Sequence, residues 1–273
     1  MKQKIEKIMG IILIVMIIII SVCYNFSIYN ILASASNEST KNQYKDKVIV
    51  IDPGHGGFDP GKIGINKENE KDINLKIALK LKKECEKKGI KIVMTRDTDT
   101  DLSGGNTGNK KKTDMYNRAS IINESDADIC VSIHQNSYNG GDIHGAQVFY
   151  HSSSEQGKNL ANIIQNEIKE ELDTTNKRIS KENSSYYILK KSNCPTVIVE
   201  CGFLSNWNEA NNLKDEFYQE RMAKVIFASV SVKVSFPPPP PFSLSALTKV
   251  SLFSSYSTEI SGASAPSPAP SAL

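Results

Sequence analysis

Short apolar runs alternate with longer stretches of helical periodicity along most of this chain. Residues 47–51 (KVIVI) read as a short buried strand. Over 69–88, Ile73, Ile77 and Leu81 fall on one helical face, and Gly89 supplies the stop. The same reading predicts strands at 90–95, 128–134, 146–151, 185–189 and 196–200, and helices at 114–123, 155–172, 208–213 and 217–230. Strands alternating with helices predict an α/β domain over 46–231, with a largely parallel sheet and helices on both faces.

Both ends of the chain break this pattern. Lys2, Lys4 and Lys7 precede an almost wholly apolar, uncharged run from residue 8 to about 24, the pattern of an export signal or a single membrane anchor. At roughly 17 residues the run sits at the lower edge for crossing a bilayer. Ala33-Ser34-Ala35 offers a cleavage site rather far downstream, while Val22 is too bulky before Cys23 for a lipoprotein site. Residues 1–24 are therefore expected to be a signal sequence or anchor, 25–45 a polar linker, and the rest of the chain to lie outside the cytoplasm. Beyond the domain, Phe236 is followed by five prolines and a Ser/Ala/Pro-rich stretch, so 232–273 is expected to be a disordered tail.

The length of 273 residues with 39% hydrophobic content suits one domain plus extensions. A net charge of +3 is too small for the concentrated basic face of a nucleic-acid binder. The five cysteines include no CxxC pair, which speaks against a cysteine-built zinc site, and their odd number speaks against a complete disulfide framework. Cys130 and Cys201 lie in apolar runs and read best as buried free thiols, with a Cys194–Cys201 bridge as the less favoured alternative.

Three polar clusters fall where an α/β sheet gathers function, at or near the carboxyl ends of its strands. Asp52-Pro53-Gly54-His55-Gly56-Gly57 follows the first strand directly. It is either an ordinary glycine-rich turn or a way to bring backbone close to whatever His55 contacts. A phosphate loop would need a Lys-Ser/Thr pair and an immediate helix, and neither is present. Glu68-Asn69-Glu70-Lys71-Asp72 opens a helix, where acidic residues are ordinarily dipole partners. Glu70, however, shares its face with Ile73, Asn74 and Ile77, which turn toward the sheet. Ser132-Ile133-His134-Gln135-Asn136-Ser137 ends another buried strand, placing His134 in the position equivalent to His55. Two imidazoles and a carboxylate make the ligand set of a hydrolytic zinc site that leaves one position open. Glu200, closing the apolar strand TVIV, is either the buried partner of a cation or the carboxylate that takes a proton in such a site.

These residues resemble the zinc-dependent N-acetylmuramoyl-L-alanine amidases of the type 3 class. The segments VIVIDPGHGG (48–57), NEKDINL (69–75), TRD (95–97), NRASIIN (117–123), SIHQNS (132–137) and VECGFLSN (199–206) carry the likeness in family order across nearly all of the predicted domain. The resemblance implies a three-layer α/β fold with a mostly parallel mixed sheet of about six strands. It implies His55, Glu70 and His134 as ligands of Zn²⁺, and Glu200 as the catalytic carboxylate. The substrate would be peptidoglycan, cut between N-acetylmuramic acid and L-alanine. Cys201 stands where the family usually has threonine, and it should face away from Glu200. The segments DPGHGGFDPGKIG (52–64), SIHQNSY (132–138), GAQVFYH (145–151) and SYYILKK (185–191) are similar to the sporulation subgroup. That likeness implies stem-peptide removal on the way to the muramic δ-lactam of the spore cortex. The tail departs from the subgroup.

Two other readings compete. Cys201 with His134 as base would make a cysteine peptidase, although Cys201 lies inside a strand rather than at a helix N-terminus. A wall-binding protein with a degenerate site would lack some of the four site residues, and all four are present. Asn136 is a candidate for placing substrate, while His144 and His151 read as surface or structural residues. Membrane contact is expected through the N-terminal segment, and an activating protein partner is left open.

Overall fold

The computed structural model describes Met9 and residues 15–27, 44–105 and 108–235. Most of the expected linker, part of the N-terminal apolar run and the tail from 236 onward lie outside the described residues. Residues 15–27 are helical, and among the described residues no helix is long and apolar enough to cross a membrane. The chain divides into two units, Met1–Phe236 and Pro237–Leu273, and the description that follows is of the first.

Six strands form one mixed sheet: β1 (Val48–Pro53), β2 (Lys91–Met94), β3 (Ile129–Asn136), β4 (Gln147–Tyr150), β5 (Lys181–Glu182) and β6 (Thr196–Phe203). Their order is β2-β1-β3-β6-β4-β5, and all neighbours are parallel except β4 and β6. The helices are α1 (Glu70–Lys87), α2 (Lys110–Glu124), α3 (Glu155–Glu167), α4 (Tyr187–Lys191), α5 (Trp207–Lys214) and α6 (Glu216–Ser235). Alternation along the central strands divides the core between the two faces of the sheet. Ile49, Ile51, Val131, Ile133, Val197 and Val199 face α1, α3 and α6, while Val50 and Cys130 face α2 and α4 through Ala119, Ile122 and Ile188. Each fully buried isoleucine contributes roughly 2–3 kcal/mol through removal from water. The layers therefore match the expected three-layer fold.

One expected element is different. Residues 185–189 were predicted to be a strand and instead enter helix α4, Tyr187–Lys191. The side chain of Asn183 turns the chain by accepting from the amides of Ser185 (2.8 Å) and Tyr186 (3.1 Å). Lys190 and Lys191 then sit in the last turn, where cations suit the helix dipole. Tyr186 and Tyr187 are half-buried beside the sheet rather than within it. Tyr186 packs edge-on to Phe149 of β4, with ring centroids 5.6 Å apart. The edge position goes to the two-residue strand β5, whose polar residues gave no strand signal. The predicted helix over 155–172 is α3 followed by a π-helical turn at Ile168–Leu172, and α6 runs to Ser235 rather than stopping at 230.

Candidate metal centre

The site begins with a buried charge. Asp52, 1% exposed at the end of β1, would be costly without partners. Arg118 of α2 supplies the charge at 2.8 Å, while Thr95 (2.6 Å) and Ser132 (2.7 Å) donate hydroxyls. Burial alone pushes the Asp52 carboxyl up; Arg118 and the two hydroxyls outweigh it and hold the group at about 2. Arg118 is itself 1% exposed, binds Asp114 at 2.7 Å, and donates to the carbonyls of Pro53 (2.7 Å) and His55 (2.5 Å). Arg96 donates to the carbonyls of Pro53 and Gly54, both at 3.0 Å, and Asn74 reaches the Gly54 carbonyl at 3.1 Å. Two arginines and an asparagine thus clamp the backbone on either side of His55. That grip holds His55 at φ 60°, a left-handed conformation uncommon for a residue with a Cβ.

Held this way, His55 meets Glu70 and His134. The Glu70 Oε1 atom lies 2.9 Å from His134 Nδ1 and 3.2 Å from His55 Nε2, and the two imidazoles stand edge-on with centroids 5.0 Å apart. One ligand atom from each of the three residues lies within 4.8 Å of the others. Backbone amides fix the carboxylate: Gln135 donates to Oε1 at 3.1 Å and Lys62 to Oε2 at 2.8 Å. Burial opposes ionisation of Glu70, but its bonds to His134 and His55 keep it well below the usual carboxylate range. Burial likewise opposes protonation of His134, and Glu70 reverses that, raising its pKa. On the far side of His55, Asp59 Oδ2 meets Nδ1 at 2.9 Å, leaving Nε2 toward Glu70. An outer carboxylate of this kind fixes which ring nitrogen faces a metal.

The space around these donors is shaped for them. A Cβ on Gly61 would come 2.6 Å from Glu70 Oε2 and 2.8 Å from His55 Cδ2, and one on Gly54 would collide with the His134 ring. Two imidazole nitrogens and an ionised carboxylate in a cleft fit a divalent metal bound through three protein ligands with one position left open.

Glu200 completes the cluster. It pairs in register with His134 across β3 and β6, so the two side chains project from the same face about one strand spacing (~4.8 Å) apart. Glu200 is 8% exposed, and its Oε2 has no hydrogen-bond partner among the described residues. Burial is the main force lifting its carboxyl to about 7; Glu70 adds to the rise, while His134 and His55 pull against it. All four residues line one cavity of about 550 Å³, whose opposite wall is Met115 of α2 with Tyr186, Tyr187 and Ile188 at α4.

The structure thus brings His55, Glu70, His134 and Glu200 together. Asn136 also lines the cavity, whereas His144 and His151 do not; they bond locally to Asp142 and Ser153. Cys201 points away from Glu200 into the apolar core, its thiol pushed up by burial, so it is not a nucleophile for this cleft. All five cysteines are free, and the Cys194–Cys201 bridge is not formed. Arg96, Arg118 and Asp59 stand within the motif segments TRD, NRASIIN and DPGHGGFDPGKIG, and their tasks emerge only in the fold. An arginine on the apolar face of a helix such as α2 was the available signal for Arg118.

Residues 49–232 match the protein family described as N-acetylmuramoyl-L-alanine amidase. The germination-specific N-acetylmuramoyl-L-alanine amidase of Bacillus subtilis (strain 168) is 34% identical over 187 residues, 67% of this chain and 78% of that protein. The N-acetylmuramoyl-L-alanine amidase LytC of the same organism is 31% identical over 210 residues, but these make up 40% of its length. Among solved structures, the CwlD amidase from Clostridioides difficile, in complex with the GerS lipoprotein, superposes with a TM-score of 0.67 at 40% identity. That match covers 70% of this chain and 99% of CwlD.

Proposed function

The chain belongs to the N-acetylmuramoyl-L-alanine amidase family, and we propose that within it His55, Glu70 and His134 hold a catalytic zinc ion while Glu200 moves the proton. The enzyme hydrolyses the amide between N-acetylmuramic acid and L-alanine in peptidoglycan. The observation that carries the assignment of roles is the contrast between two buried glutamates in one cleft. Glu70 has both oxygens bonded and is ionised; Glu200 has an oxygen with no partner and a carboxyl near 7.

When bound, zinc supplies Lewis-acid polarisation and acidifies water. The remaining work belongs to the chain. Asp59 holds His55 with Nε2 inward, and the amides of Lys62 and Gln135 keep Glu70 from rotating. Glu200 accepts a proton from the attacking water and delivers it to the nitrogen of the leaving alanine. A base lifted toward neutrality by burial is matched to that exchange, and a nearby cation draws it back down. The half-buried wall of Tyr186, Tyr187 and Ile188 excludes water from one side of the scissile bond.

The proposal places the catalytic domain from 46 to the end of α6 at Ser235, with 1–24 as an export signal or anchor, 25–45 as a linker and 236–273 as an extension. The protein then works outside the cytoplasm, on the cell wall or spore envelope. Likeness to a germination-specific amidase supports a place in spore-cortex maturation toward the muramic δ-lactam. A relative crystallised with a lipoprotein supports an accessory protein partner. Incubating the full-length protein with purified peptidoglycan while assaying metal content and new N-terminal L-alanine tests the reading. Release abolished by a chelator and restored by Zn²⁺ is expected; release indifferent to chelation would refute the metal's role.

A further inference from the structure

The catalytic cavity does not end at the metal ligands. It continues past Asp59 to Lys111 and Met115 of α2, and a second hollow lined by Asn109, Lys111, Lys112, Met115 and Tyr187 adjoins it through three shared residues. The guanidinium of Arg118 is taken up by Asp52, Asp114 and backbone carbonyls. Lys62 and Lys111 are therefore the cavity's available cations. The side chain of Lys111 is 67% exposed, and its ammonium lies 3.3 Å from Asp59 Oδ2. Asp59 is only 21% exposed, but the lysine end of the pair is screened by water and makes this single contact, so an incoming anion can take the lysine over.

The sequence around Lys111 is costly for the fold. Helix α2 opens with Lys110, Lys111 and Lys112 and has no acidic residue in its first turn. Cations there oppose the helix dipole. An anionic ligand in the adjoining hollow would offset that cost.

Spacing identifies where on the substrate the anion sits. Two contacts and one imidazole ring separate the Lys111 ammonium from the His55 nitrogen that faces Glu70. With contacts of 3.3 and 2.9 Å plus the width of the ring, that separation is at most the reach of two extended residues, ~7 Å, plus part of one hydrogen-bond length. We infer that Lys111 is a specificity-determining residue that binds the free carboxylate of the residue following L-alanine in the stem peptide, with Met115 and Tyr187 as the apolar floor beneath it. The inference rests on the amidase reading, since it takes the muramoyl–alanine bond to lie at the metal ligands.

Binding to the zinc-loaded full-length Glu200→Gln protein tests it by calorimetry without turnover. The probes are two soluble muropeptides that differ only in whether the second residue carries a free carboxylate or its amide. The free acid is expected to bind about tenfold tighter, as one charge-assisted contact would give. Adding Lys111→Met should bring the two within about twofold by weakening the acid alone, and Lys111→Glu should reverse the preference. In the otherwise unaltered enzyme, Lys111→Met should raise KM for the acid and leave kcat alone. Equal affinity for the two probes, no binding of either, or a preference untouched by Lys111→Met would overturn the inference. Failure of the amidase reading would show separately, as no new N-terminal L-alanine from the unaltered enzyme.

Discussion

The two walls of the catalytic cleft are built in opposite ways. The wall made by β1, its loop and α1 is buried and saturated with hydrogen bonds: Arg96, Arg118 and Asn74 hold successive carbonyls from Pro53 to His55. The wall made by the start of α2 and by α4 is half exposed, and its Lys111 makes one loose ion pair. The difference follows from the tasks. Metal ligands must stay within tenths of an ångström of their geometry, so their backbone is locked by groups that do no chemistry. A peptide-binding surface gains from apolar area and a charge that can change partners, and it needs no such lock.

Substitutions on the locked wall should therefore act through the whole site, and those on the open wall through substrate affinity. His55→Ala should have the largest effect, losing bound zinc and at least about a thousandfold in kcat/KM, as metal analysis and peptide release would show together. Retained stoichiometric zinc would break the ligand assignment. Arg118→Met strips the partner from two buried carboxylates and should cost about 3–5 kcal/mol in denaturant unfolding, with activity falling as His55 loses its carbonyl clamp. A cost below about 1 kcal/mol would mean that the clamp is decorative.

A smaller effect should appear with pH. Asp52 is held near 2 in the folded protein against an ordinary 3.8. Because the folded value is the lower one, its stabilisation is complete above pH ~4 and is lost as pH falls toward 2, amounting to roughly 2 kcal/mol. Denaturation of the full-length protein across that window should show the loss, and Asp52→Asn should flatten it. The smallest effect belongs to the open wall. Tyr187→Ala should raise KM about threefold and leave kcat and zinc content unchanged, since it removes apolar contact and no charge. A fall in kcat would erase the distinction between the walls.

The locked wall was largely legible in the sequence and the open wall was not. Buried strands announce themselves as apolar runs, so KVIVI and TVIVE fixed where His55 and Glu200 emerge. The helical face shared by Glu70, Ile73, Asn74 and Ile77 was readable too, because burial imposes its period. What the clamp does was hidden, since the carbonyls and the Asp52 carboxylate that the arginines hold sit about 40 to 65 residues away from them, beyond any local pattern. The open wall misled for a different reason. The Tyr-Tyr-Ile-Leu run has strand propensity, but a side-chain turn at Asn183 and the edge-on packing of half-buried Tyr186 on Phe149 override it. The preceding edge strand is two polar residues with no signature at all.

Glu200→Gln measures directly whether the residues that hold the metal are separate from the one that moves the proton. Zinc stoichiometry and turnover on peptidoglycan should be determined side by side for this variant and the unaltered full-length enzyme. One zinc per chain retained, with kcat lowered by about a thousandfold, is the expected result. Loss of zinc would make Glu200 a ligand, and undiminished turnover would place the base elsewhere; either would contradict the division of roles between Glu70 and Glu200.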